Sequence, residues 1–306
     1  MTFPGLVDLV AADPVVASAL DDARQARLPA LDLTAPESLR PFLVAALATH
    51  TARTVLLVTS TYREAEALTT TLGSLIGEER VAYYPAWETL PHERLSPRSD
   101  TVGRRLQVLR RLKGNDALPA PRVVVAPVRS VLQPQVVGLG DLLPVTLRAG
   151  EDTDLADLAR ALVDAAYVRV DLVERRGEFA VRGGILDVFP PTEEHPVRID
   201  FFGDTVDEIR SFAVADQRSF GEPLAEVTAS PCRELLITDE VRRRAAVLAD
   251  QTSSVPGNLS ELFERISQGH AVDGMEALSP VLVDALELLI DVLPADTQVL
   301  LSLIHI

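Results

Sequence analysis

The chain has 306 residues, with 28 arginines and one lysine against 45 acidic side chains, a formal net charge of −16. At about 100–200 residues per domain this length predicts two or three domains, and 47% hydrophobic with 24% charged residues describes an ordinary soluble globular protein. A single cysteine, Cys232, excludes a disulfide framework and a cysteine-rich zinc site, the histidines show no metal-ligand spacing, no apolar run is long enough to span a membrane, and there is no signal peptide, so a cytoplasmic protein without a metal or membrane role is expected.

The first 135 residues alternate helix and strand patterns. Residues 36–48 read as a helix with Leu39, Leu43, Ala46 and Leu47 on one face. Thr54–Thr59 is apolar without alternation, as buried parallel strands are. A helix over 62–75, a strand over 81–84, a helix over 101–112 and a strand over 122–126 follow, which is α/β layering around a mostly parallel sheet. Lys113 stands at the end of the third helical pattern. A phosphate-gripping P-loop needs its lysine just before a Ser or Thr that opens a helix, so no Walker A site exists here.

The pattern changes near Pro134. A helix is expected over 154–165, and alternating strands over 167–173, 178–182, 185–189, 196–202 and 205–212. Gly183-Gly184 joins two of them as a hairpin turn, because no helix follows to bind phosphate. Beyond residue 222, helices are predicted over 239–249, 259–267 and 280–290. Residues 297–306 read as a buried strand that stops without a polar cap or turn, which points to a truncated chain whose last few residues are not native.

Three stretches carry a family resemblance: Y-P-A-W-E-T-L-P-H-E-R-L-S-P-R-S-D-T-V-G-R-R-L-Q-V-L-R over 84–110, G-E-F-A-V-R-G-G-I-L-D-V-F-P-P over 177–191, and V-R-I-D-F-F-G-D-T-V-D-E-I-R-S-F-A-V-A-D-Q-R over 197–218. Together they resemble the N-terminal, UvrB-like region of bacterial transcription-repair coupling factors, the Mfd family. The resemblance implies a degenerate RecA-like (P-loop-type) α/β domain over 1–135, an inserted α+β UvrA-binding module over 136–222, and the remainder of the RecA-like domain over 223–306. It implies recruitment of the excision-repair protein UvrA to lesions where RNA polymerase has stalled. The ATP- and magnesium-dependent DNA translocase, with its contacts to DNA and RNA polymerase, would lie in later parts of a longer protein, leaving this piece without catalysis or cofactor. The near relative UvrB, itself an ATP-dependent motor subunit, would carry a lysine-bearing loop where this chain reads Leu33-Thr34-Ala35-Pro36-Glu37-Ser38-Leu39, and a tyrosine-rich hairpin where Tyr83-Tyr84-Pro85 runs directly into Trp87.

Read from the residues alone, alternation places Val197, Ile199 and Phe201 on one face of their strand and Arg198, Asp200 and Phe202 on the other. Phe202 is then either an interface anchor beside arginine or a residue packed beneath a neighbouring helix, with the arginines paired locally. The resemblance implies the first, and gives Arg182, Arg198 and Phe202 the role of binding UvrA. Phe202→Ala and Arg198→Glu are then expected to abolish that binding without unfolding the module. Residues 136–222 hold 9 Arg against 18 Asp or Glu, which favours a protein partner over DNA.

Arg98–Arg129 has a net charge of +6, with Arg104, Arg105 and Arg111 off the apolar stripe. It is either a DNA-binding basic patch or a solvated helix face. The loop of Trp87, Glu88, His92 and Glu93 has the residue types of acid–base chemistry, but nothing pairs His92 with a nucleophile, and a loop anchored in the core by Trp87 is expected.

Overall fold

The computed structural model of the chain describes residues 2–25, 30–90, 93–254 and 258–302. It divides into two compact units, one of residues 1–86, 108–134 and 287–306, the other of 87–107 and 135–286. His92 of the Trp87 loop and residues 303–306 of the last strand lie outside the described residues.

In the first unit, helices α1 (Pro4–Ala11), α2 (Pro14–Gln25) and α3 (Arg40–His50) precede strand β1 (Val55–Thr59), followed by α4 (Tyr62–Ile76) and β2 (Val81–Tyr83). After α5 (Ser99–Lys113), whose first part belongs to the other unit, come β3 (Val123–Pro127) and α6 (Val128–Val131). The two strands that read as continuous apolar runs, β1 and β3, are buried at every position. They form the middle of a parallel sheet, and because both of its faces are buried there no polar face is needed. Helix α3 shows the same logic: Val44–Ala48 is apolar all round and wholly buried. In α4, Thr61 caps the N-terminus by accepting from the Glu64 amide, while Ala65, Leu72 and Leu75 face the core. Helices α1 and α2 go beyond the predicted elements. Each opens on proline, whose fixed φ and missing N–H suit a first helical position.

The second unit contains β4 (Gln135–Val136), β5 (Val145–Arg148), α7 (Leu155–Asp164), β6 (Val168–Arg169), β7 (Glu178–Arg182), β8 (Ile185–Val188), β9 (Val197–Phe202), β10 (Thr205–Phe212), β11 (Ser219–Phe220) and β12 (Glu226–Ala229). Its main sheet runs β11–β10–β9–β8–β7–β6, with β7 to β10 an antiparallel meander. Alternation buries Phe179, Leu186, Val188, Val197 and Ile199 on one face. There they pack with Leu158 and Leu162 of α7, whose N-terminus Asp154 caps by accepting from two amides. Each such side chain contributes about 1.5–3 kcal/mol on burial. Of the strand expected over 167–173, only β6 pairs.

The expected end of this module at residue 222 leaves out β12. That strand pairs with β5, and its Val227 and Ala229, with Cys232, fill the same core. Residues 223–286 accordingly group with the second unit, and only 287–306 with the first. Helix α9 (Leu259–Ser267) matches its predicted span, and α8 (Asp239–Thr252) starts where predicted and runs on past 249 to Thr252. The helix predicted over 280–290 is replaced by α10 (Ser279–Leu282), β13 (Leu286–Glu287) and α11 (Leu289–Val292). Leu282 is buried in the second unit and Leu289 in the first, so the chain breaks into short elements where it passes from one to the other. The last strand, β14 (Gln298–Ser302), joins the first unit's sheet beside β1, giving the order β14–β1–β3–β2 with every pair parallel. No helix among the described residues is long and apolar enough to cross a membrane.

Candidate functional site

The second unit's meander places the candidate residues on the face opposite the α7 core. Its hairpins β7–β8 and β9–β10 turn at Gly183-Gly184 and Gly203-Asp204. Only the first residue of each pair has positive φ, +62° and +66°, the pattern of a type II′ turn, where glycine is strain-free. Both turns lie at the same end of the sheet. Pairing across the strands sets Arg182, Ile185 and Asp200 in one row, and Ala180, Asp187, Arg198 and Arg210 in the next. Phe202 stands two residues beyond Asp200, on the same face.

Phe202 is 84% exposed, so it is not packed beneath a helix. The arginines do pair locally, and with one residue. Asp187, on β8, has a side chain only 1% exposed. Its Oδ1 accepts from Nε of Arg198 at 2.7 Å, and its Oδ2 from Nη2 of Arg198 at 2.9 Å and Nη2 of Arg182 at 2.5 Å. Arg198 also donates through Nη1 to the Gln217 carbonyl at 3.1 Å and lies 4.8 Å from the Phe212 ring centroid. It is largely covered as a result, while Arg182 keeps about half of its side chain in solvent. Burial, opposed by the Arg198 charge, lifts the carboxyl of Asp200 above the ordinary carboxylate range, with Glu208 adding to the rise. Asp187 is absent from the candidates read in the sequence. Its signal was an acid in the otherwise apolar I-L-D-V strand, directly across from Arg198 once the hairpin register is known.

The basic patch expected from Arg104, Arg105 and Arg111 is not on the surface as a group. Arg104 is exposed, but Arg105 and Arg111 are buried. Arg105 pairs with Glu234 and lies over the Trp87 ring, and Trp87 donates its indole N–H to the same Glu234 carboxylate at 3.0 Å. Arg111 donates to the carbonyls of Pro119 and Glu79. Apolar spacing gave no sign of this, because a guanidinium can enter a core once its charge and donors are matched. Trp87 is nearly buried, and Glu88 and Glu93 accept from backbone amides of their own segment. Among the described residues no group of three or more His, Cys, Asp or Glu is placed to hold a metal ion.

The UvrB interaction domain model matches residues 145–235, the span from β5 through β12 to Leu235. The transcription-repair-coupling factor of Mycobacterium bovis is 48% identical over 305 residues, which are 97% of this chain and 24% of that protein. That of Bacillus subtilis is 32% identical over 279 residues, 87% of this chain and 23% of that protein. That of Escherichia coli is 29% identical over 259 residues, 83% of this chain and 22% of that protein. The chain thus spans about a quarter of the length of these curated relatives.

Proposed function

Because the chain belongs to the transcription-repair-coupling factor family and contains a UvrB interaction domain, we propose that it is the part of such a factor that recruits UvrA. The observation that carries this reading is Phe202, a large aromatic held almost fully in solvent at a hairpin end, on the same face as the half-exposed Arg182. An exposed aromatic beside arginine is the composition of an interface hot spot. Phe202 supplies the apolar anchor, Arg182 a charged donor fork, and Arg198 the support beneath them.

In this reading the first unit is a degenerate RecA-like domain and the chain is itself non-catalytic. The parallel order β14–β1–β3–β2 agrees with that fold, and the one lysine, at the end of α5, is far in sequence from the Leu33–Leu39 segment where a motor would need it. ATP-driven translocation and contacts with DNA and RNA polymerase would belong to other parts of a longer protein. A UvrB-like motor would instead show specific ATP turnover. A DNA-binding module built on Arg98–Arg129 is disfavoured by the burial of Arg105 and Arg111.

Calorimetric titration of the chain with UvrA tests the reading. Binding by the wild type and its loss in a folded Phe202→Ala variant are expected. No binding by the wild type, or equal binding by the variant, overturns it.

A further inference from the structure

We propose that Asp187 is the positioning residue of this face, a buried carboxylate that holds Arg182 and Arg198 in the arrangement the partner meets. This rests on the reading of the face as a UvrA-binding surface. Three charge-assisted hydrogen bonds from two guanidiniums converge on one carboxylate, which is itself hidden from solvent. Asp187 therefore does not touch a partner. Arg198 has further support from the Gln217 carbonyl and the Phe212 ring. Arg182 is half exposed, and its contact with Asp187 fixes its head.

Two consequences follow from elementary electrostatics. Without Asp187 the two arginines, held close by the sheet, repel each other. A freed Arg182 also regains the rotamer freedom of a long side chain, which a partner must then remove on binding. With Asp187 in place, one negative charge offsets two positive ones, so the Arg182–Asp187–Arg198 cluster itself keeps a net positive charge. The Arg182 fork is pre-set for an acidic group on the partner.

The test is Asp187→Asn, close in shape and without the charge, in the full chain. Its affinity for UvrA is expected to fall by about tenfold or more, the scale of a lost hydrogen bond to a charged group. In an Arg182→Ala background, where Arg198 still meets Asp187, the same change is expected to weaken binding clearly less than in the wild type, since part of its effect runs through Arg182. Unchanged or tighter binding by Asp187→Asn overturns the proposal, because Asp187 would then merely mask the arginines. Equal weakening in both backgrounds also overturns it, because Asp187 would then act through the fold.

A second measurement does not depend on UvrA. Nitrogen-15 relaxation of the Arg182 guanidinium is expected to show an ordered side chain in the wild type and a mobile one in Asp187→Asn. Equal order in both overturns the positioning role even if the wild type does not bind UvrA, an outcome that by itself would sink only the reading of the face.

Discussion

Arg105 of α5 and Glu234 are 129 residues apart in sequence, yet they meet at 2.5 Å with both side chains essentially sealed from solvent. Gln135 accepts from the same guanidinium at 3.3 Å, and Trp87 donates to the same carboxylate. Breaking such a pair leaves one charge buried without compensation, which costs about 3–5 kcal/mol. Arg105→Met or Glu234→Gln is therefore expected to destabilise the second unit on that scale. The exposed neighbour Arg104→Ala should stay within about 0.5 kcal/mol of the wild type. Urea denaturation followed by Trp87 fluorescence reports both, and equal effects at 104 and 105 would contradict the geometry.

Phe202→Ala and Arg198→Glu, equivalent when read from the sequence, separate in the structure. Phe202 is 84% exposed, so its removal should change stability by no more than about 0.5 kcal/mol while abolishing partner binding. Arg198→Glu sets a second carboxylate against buried Asp187 and strips the Phe212 ring of its cation. It is expected to destabilise the module by about 3 kcal/mol or more. Thermal unfolding of the two variants checks this, and a native-like melting point for Arg198→Glu would refute it.

Gly103 lies within α5, where alanine would ordinarily gain about 1 kcal/mol of helix propensity. A Cβ at this position would stand 2.5 Å from Cβ of Pro191 and 3.2 Å from Cγ2 of Thr192. The proline ring cannot swing away. Overpacking of about 1–3 kcal/mol should outweigh the propensity gain, so Gly103→Ala is expected to lower the melting temperature. A higher melting temperature would show that the approach of α5 to Pro191 is looser than described.

Burial pushes the thiol of Cys232 up to about 12, opposed by its hydrogen bond with Tyr167. The unfolded chain releases this proton near pH 8.5 while the native state retains it. Stability is therefore fully present below that pH. It falls by about 1.4 kcal/mol per unit as pH rises toward the folded value. Burial also raises the Tyr167 hydroxyl, which donates to the Ser230 carbonyl, so a second loss in the same direction begins near pH 10. Melting temperatures from pH 8 to 11 should drop more steeply for the wild type than for Cys232→Ala. Parallel curves would remove Cys232 from the account.

Much of the candidate face was legible before any tertiary information. Alternation along residues 197–202 put Phe202 on the outer face, and the Gly-Gly dipeptide marked the hairpin beside Arg182. Asp187 was not legible, because its role exists only once β7, β8 and β9 lie side by side. The basic stretch misled for a related reason. Spacing on α5 shows which positions avoid the main apolar stripe, but not that Glu234 waits opposite one of them.

The sequence by itself determined most of the local elements, since apolar period, caps and glycine turns act over a few residues, and its family resemblance gave the kind of partner to be expected. Only the tertiary structure decided which charges are free to meet that partner. A guanidinium's state depends on the carboxylates the fold brings to it. Arg105 is spent on Glu234 and Arg198 largely on Asp187, which, of the three residues of the candidate face, leaves Arg182 and Phe202 as the groups that solvent, and so a partner, can reach.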